Sequence, residues 1–328
     1  MFSYRKVLGQ AWKITKQYKK LWIFGFLAFL LSAGGEYKII TKLLNEEYGA
    51  GVYEKMVSSS IFLSPVFWSD LYQLCLNNPK EGIAIFLMII MMAAALFGLL
   101  WVCVRSQIAL VKWTKNYLNS KNSDKKPSVW EELSTKDRSF WRVLGINILI
   151  DVVITFAFTL LSLPLIFLYF QDSNLAILAY TVFFIIFLPL ALSFSLIAKY
   201  AIVAIALEKK TLVASIENGC KLFKKNWLVS LEMALLLFLI NFFVGLLGVL
   251  ILSAILLPII LTLLVFNLIF PLYLFVLVTF ILLVIFAAIL MTFQTASWTV
   301  LYLELKNDGI KAKLERIFTG KKQKKAKK

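Results

Sequence analysis

The stretch WLVSLEMALLLFLINFFVGLLGVLILSAILLPIILTLLVFNLIFPLYLFVLVTFILLVIFAAILMTFQTASWTVLYL, residues 227–303, runs for 77 positions with a single charged residue, Glu232. A helix rises ~1.5 Å per residue and a ~30 Å hydrocarbon core takes ~20 residues, so this stretch is long enough for three membrane crossings. Two prolines, Pro258 and Pro271, punctuate it, because proline lacks the N–H that continues a helix and crowds the preceding turn. The choice between two and three crossings rests on charge. Residues 304–328 carry ten Lys and Arg against three acids, and a third crossing would put them on the face opposite every other basic segment. We therefore read two long helices, 227–257 and 272–303, joined by an apolar connector to which Asn267 lends a polar side chain.

The other basic segments follow the same logic. Residues 1–20 carry six basic residues and no acid, 105–142 nine and four, and 199–225 six and two; with the tail they hold 31 of the 35 Lys and Arg residues. Residues 35–81 carry four Lys against six acids, and the turn near Asp172 has no basic residue. Short loops rich in Lys and Arg resist translocation, so the basic set is expected in the cytoplasm with both termini inside.

The expected fold is an all-α polytopic bundle of six transmembrane helices with amphipathic interfacial helices. Its spans are 21–33, 83–104, 143–170, 175–198, 227–257 and 272–303. Residues 1–307 form one membrane domain, with an interfacial helix at 1–20, an outer loop at 35–81 and cytoplasmic segments at 105–142 and 199–226. Residues 308–328 form a basic cytoplasmic tail. The first span resembles a signal peptide in order, with basic residues before it and Ser32, Ala33, Gly34 and Gly35 after it. The 20 residues ahead of it, however, have helical amphipathic order of their own. A composition 61% hydrophobic and 16% charged fits this class, and the net charge of +17 flanks apolar spans instead of forming a nucleic-acid patch. The excess of Lys over Arg, 30 to 5, fits a low-GC bacterial source and decides nothing about function. The expected location is the cytoplasmic membrane.

Three spans are entered through similar junctions. Val7, Leu8, Ala11, Ile14, Thr15 and Tyr18 share one helical face, and Arg5, Lys6, Lys13, Lys16 and Lys20 the other, before Trp22. Leu212, Val213, Ile216, Gly219, Cys220 and Phe223 repeat the phase before Lys224, Lys225 and Trp227. Superposing Trp22 on Trp227 also matches Lys16 with Lys221, Lys19 with Lys224 and Lys20 with Lys225. A looser copy runs through Arg138 to Trp141 and Arg142. The positive-inside and aromatic-belt rules gather such residues at any cytoplasmic entry, so a true repeat and simple convergence both explain the pattern.

The segment ASIENGCKLFKKNW, residues 214–227, resembles the corresponding junction of bacterial six-helix membrane proteins. Among these is the membrane domain fused ahead of the catalytic barrel in some glycerophosphodiester phosphodiesterases. Ala11, Trp12 and Lys13, and then Lys20, Leu21 and Trp22, look similar too. The resemblance implies a six-helix membrane domain. It implies no phosphodiesterase activity, because no barrel follows in these residues and that domain has no catalytic residues to carry over.

The sequence has no histidine, which removes His-based acid–base catalysis, Ser/His/Asp triads and most zinc sites. No phosphate loop, paired catalytic carboxylates or Cys/His cluster appears, so neither a metal nor a cofactor is implied. Cys75, Cys103 and Cys220 fall in the outer loop, a span and a cytoplasmic segment, leaving no outer pair for a disulfide. The candidate buried polar residues are Asp151, Lys199 and Glu232, joined by Asn147 and Asn241. Ionisable groups within a membrane tend to face inward and to pair. They read first as structural ion pairs and second as a proton or ion relay. Gly245 and Gly248 are candidates for helix contact or local packing flexibility, and Phe183, Phe184 and Phe187 are core or lipid-facing residues.

Candidate contacts to anionic headgroups are Lys16, Lys19, Lys20, Lys221, Lys224 and Lys225, together with Lys321, Lys322, Lys324, Lys325, Lys327 and Lys328 in the tail. Ile310, Leu314, Ile317 and Phe318 give that tail helical apolar spacing. The expected function is that of a non-enzymatic integral membrane protein that interacts with lipids or serves as an assembly or accessory factor. Membrane lipids and a membrane-protein partner are expected, and no nucleic acid. A small-solute or lipid transporter, with 258–271 as a broken-helix element, is the alternative. An intramembrane enzyme has the least support.

Overall fold

The computed structural model describes residues 4–32, 69, 72–73, 76–119, 139–169, 175–266 and 268–307. Among these residues the elements are helices and no strand is formed. They are α1 (Tyr4–Gln17), α2 (Leu21–Ser32), α3 (Pro79–Asn119), α4 (Ser139–Tyr169), α5 (Leu175–Glu208), α6 (Leu212–Lys225), α7 (Trp227–Val265) and α8 (Ile269–Lys306). In hydrocarbon every backbone N–H and C=O must be satisfied internally, and a helix apolar on all sides does so within one segment. Five of the helices, α3, α4, α5, α7 and α8, are long and apolar enough to cross a membrane, and α2 contains the shorter apolar stretch Leu21–Leu30. The chain is therefore an integral membrane protein of multi-pass type.

α3 runs on past residue 104 to Asn119 and α5 past residue 198 to Glu208, so both helices continue into the segments 105–142 and 199–226. The reason is burial: Ile108, Leu110, Val111 and Trp113 in α3, and Ala201, Val203 and Ile205 in α5, are core residues that extend each helix beyond its lipid-length portion. α7 continues through Pro258, which was expected to open the connector, and ends instead at Val265, with α8 beginning at Ile269. Proline within a membrane helix is tolerated because the surrounding apolar packing and local adjustment accommodate the single lost backbone hydrogen bond, at the carbonyl one turn earlier. Thr262 Oγ1 donates to the Pro258 carbonyl at 2.8 Å, as Ser193 Oγ does to the Pro189 carbonyl inside α5, which reinforces the turn after each proline and not the acceptor that the proline leaves open. Pro271 falls in the first turn of α8, where its missing N–H has no intrahelical partner to lose.

The chain divides into two compact units. The first comprises Met1–Ser32, Cys103–Ile150 and Leu196–Lys328. α8 is its organising element, packing on α1, α2 and α7, while α6 packs on α7. Its core holds Trp113, Tyr200, Tyr302, Ile14, Leu21, Leu196 and Met233 among the largest buried side chains. α2 crosses α8 at Gly25, where a Cβ would fall 2.4 Å from the Ala288 carbonyl and 2.0 Å from Thr292 Oγ1. That hydroxyl donates to Ala288 O at 2.8 Å and lies 3.3 Å from Leu21 O, so the crossing is both close and hydrogen-bonded.

The second unit comprises Ala33–Val102 and Asp151–Ser195. Phe183 and Phe187 of α5 are buried and stack at 5.5 Å, with Phe158 of α4 edge-on to both at 5.7 and 5.4 Å. Such edge-to-face contacts are the preferred geometry of aromatic quadrupoles. Within α3 the apolar residues from Ile83 to Trp101 are largely exposed, as lipid-facing side chains are.

Candidate functional site at the helix junctions

α1 and α6 each precede an apolar helix; burial follows the expected phase in α1 and only in part in α6, where Val213 is exposed and Ser215 is buried instead. In α1 Val7, Ala11, Ile14 and Thr15 are buried, while Arg5, Lys6, Lys13 and Lys16 are exposed. In α6 Ser215 and Gly219 are buried and Lys221, Lys224 and Lys225 are exposed. Both apolar faces pack on protein. The apolar side chains of α1 join the main core, and Gly219 lets α6 approach α5 so closely that a Cβ would lie 2.8 Å from the Ile197 carbonyl.

The breaks after the two helices differ in construction. After α1, Leu21 N–H donates to Tyr18 O and Trp22 N–H to Lys19 O, both at 3.0 Å, and the Trp22 indole reaches back to Thr15 O at 2.9 Å. This indole satisfies one of the carbonyls left open at a helix end. After α6 one residue, Asn226, makes the break: its N–H donates to Leu222 O and Phe223 O, and its side chain turns back to Leu222 O at 3.3 Å. Ser230 Oγ then donates to Asn226 O at 2.9 Å. Of the third junction, Trp141 is exposed and Arg142 is described; residues 120–138 lie outside the described residues.

Each sequence-selected polar residue has a definite place. Glu232 of α7 accepts a short hydrogen bond from the Tyr4 hydroxyl of α1. Glu304 of α8 pairs with Lys6 at 3.3 Å, so the start of α1 is tied to both α7 and α8. Lys199 places its ammonium over the Trp298 ring, 4.9 Å from the centroid, a cation–π contact. Asn147 donates to Gln107 Oε1 at 3.1 Å and to Val143 O at 3.0 Å. Asn241 is buried, and its Oδ1 has no hydrogen-bond partner among the described residues. Asp151 belongs to the second unit and its side chain is exposed.

The strongest polar convergence was not singled out from the sequence. Glu208, at the end of α5, accepts from Tyr302 at 2.5 Å and pairs with Lys306 at 2.9 Å and Lys210 at 2.8 Å. Asn218 of α6 donates to the Tyr302 oxygen at 3.0 Å, which completes the connection. Nearby, Lys209 has a φ of 55°, a left-handed conformation that commonly ends a helix but usually belongs to glycine. Arg142 of α4 donates to the carbonyls of Lys209 at 2.6 Å and Lys210 at 3.1 Å, satisfying open acceptors where the helix dipole is negative. These contacts link residues remote in sequence; no local pattern announces them.

The exposed lysines carry the chemistry available at the surface. Lys16, Lys19 and Lys20 at one junction, and Lys221, Lys224 and Lys225 at the other, are exposed. Lys221 is engaged one turn back by Glu217 at 2.6 Å, and that hydrogen bond holds the Glu217 carboxyl below its ordinary range. The tail lysines 321, 322, 324, 325, 327 and 328, and most of the expected outer loop 35–81, lie outside the described residues. Among the described residues no group of three or more Cys, Asp and Glu could hold a metal ion. No family model, curated protein or solved structure matches this chain.

Proposed function

We propose that the chain is a non-enzymatic protein of the bacterial cytoplasmic membrane, with both termini inside, whose inner surface holds anionic lipid headgroups and serves lipid interaction or membrane-protein assembly. In this reading α2 is the sixth span, and α1 and α6 lie along the inner interface. The observation that carries it is the paired junction: apolar faces packed on protein, with exposed lysines presented just before Trp22 and Trp227. A basic residue near an anionic surface contributes ~1 kcal/mol, and an aromatic side chain at the interface fixes depth. The Glu217 pairing makes Lys221 the weakest contributor at its junction. The resemblance to six-helix bacterial membrane domains agrees with this reading. α7 is continuous through Pro258, so the broken-helix element of the transport alternative would be confined to the break between Val265 and Ile269.

The test replaces Lys16, Lys19, Lys20, Lys221, Lys224 and Lys225 together by Gln in the full chain. Lipid retained by the purified protein is then compared after reconstitution with phosphatidylglycerol or phosphatidylcholine. The variant should retain at least about tenfold less phosphatidylglycerol, as the loss of more than one such contact implies, with phosphatidylcholine unchanged. Equal retention of phosphatidylglycerol by variant and wild type would discard the headgroup reading.

A further inference from the structure

The helices of this chain do not ask for the same bilayer. In α3 the exposed apolar run from Ile83 to Trp101 is bounded by Lys80 and Glu81 before it and Arg105 after it. Its length is ~28 Å, one hydrocarbon thickness. α7 and α8 are 39 and 38 residues long, ~58 Å each, with Glu232 as the one charge between Trp227 and Leu303.

Burial shows how much of that length faces outward. None of residues 242–266 is buried, and on the return none of the described side chains in 268–287 is buried. At the turn, Val265 and Phe270 are each 80% exposed, and Phe266 and Tyr273 only slightly less. Toward the start of α7, Leu231, Leu235 and Leu239 continue an exposed stripe at helical spacing back to Trp227. The exposed apolar surface thus runs the length of α7 and back along α8 as far as Ile285, beyond which residues 286–305 are buried or half-buried. Membrane helices tilt by up to ~40°, which would shorten ~58 Å only to ~44 Å, still beyond a ~30 Å core.

We propose that the α7–α8 hairpin binds a shell of long-chain lipids, its excess apolar length selecting acyl chains that locally thicken the bilayer. The occupant is hydrocarbon because the exposed surface is apolar along α7, at the turn and along α8 to Ile285, with Glu232 as the one charge between Trp227 and Leu303. A longer acyl chain covers more of the hairpin, and the cost of mismatch falls with each ångström covered. This inference needs only that the helices lie in a bilayer; it is independent of headgroup charge.

The experiment reconstitutes the full chain in vesicles of phosphatidylcholines with fourteen-, eighteen- and twenty-two-carbon monounsaturated chains, at one fixed fraction of phosphatidylglycerol. The thermal unfolding midpoint should rise with chain length, by about 5 °C or more between the extremes. A second protein lacks residues 249–255 and 279–285, on the turn side of the contact between Gly248 and the Phe286 ring. This removes ~10 Å from each helix and should move the optimum to the shorter chains. A wild-type optimum at fourteen carbons, or no dependence on chain length, would overturn the proposal, whether or not the shortened protein folds. So would a shortened protein that keeps the longest-chain optimum, or efficient cross-linking through I251C between copies that abolishes the chain-length dependence.

Discussion

Gly25 is a residue whose side chain is excluded by what it touches. A Cβ there would meet the Ala288 backbone carbonyl and the Thr292 hydroxyl, neither of which is the far end of a flexible chain. Gly25→Val should therefore lower stability by ~1–3 kcal/mol or more, the cost of overpacking a close contact. Gly245→Val, where nothing lies within 4 Å, should change it by less than ~0.5 kcal/mol. Thermal unfolding of the two variants in the same detergent makes the comparison, and equal midpoints would refute the α2–α8 crossing. The sequence drew attention to Gly245 and Gly248 because they are spaced within one span. Of these, Gly248 has a close neighbour: a Cβ there would fall 2.8 Å from the Phe286 ring. Gly25 was not legible as a contact residue, because its partners are in α8, at the far end of the chain.

At the scale of the element, α1 shows what hydrophobic periodicity can and cannot reveal. The phase of Val7, Ala11, Ile14 and Thr15 was readable from the sequence, and those are the residues buried. The surface that covers them was not, since it comes from packing against α8 and from Tyr18 meeting Trp113 and Tyr117 of α3 at 4.4 and 5.6 Å. Nor was the use of Glu232 legible: depth alone suggested a partner inside the bundle, whereas Tyr4 of α1 supplies one. A hydrogen bond to a charged group contributes ~1.5–3 kcal/mol, so Tyr4→Phe should raise amide exchange in α1 by about tenfold or more. Exchange in α6 should be unaffected, because Tyr4 has no counterpart there within the helix. Hydrogen exchange read by mass spectrometry resolves the two segments. Unchanged protection of α1 would mean that its apolar face alone holds it.

For the molecule as a whole, the even number of crossings in 227–303 has an argument from geometry as well as from charge. Asn218 of α6 and Glu208 of α5 both hydrogen-bond Tyr302, and Glu208 also holds Lys306. The chain leaves this cluster through α6 and Trp227, and returns to it at the end of α8; it must therefore go out and come back. Lys and Arg counts led to the same two-helix reading because positive charge resists translocation on whichever helices it flanks. The position of the turn was less legible, since a proline that breaks a helix in water is accommodated at Pro258 by an apolar setting. Replacing Cys75, Cys103 and Cys220 and adding single cysteines tests the topology directly. K16C, K221C and K306C should react with a membrane-impermeant maleimide in inside-out vesicles and not in intact cells, and K55C should show the reverse. Labelling of K306C from the side opposite K221C would require an odd number of crossings between them. The Glu208 cluster could not then form, and both the charge argument and the geometric one would fail together.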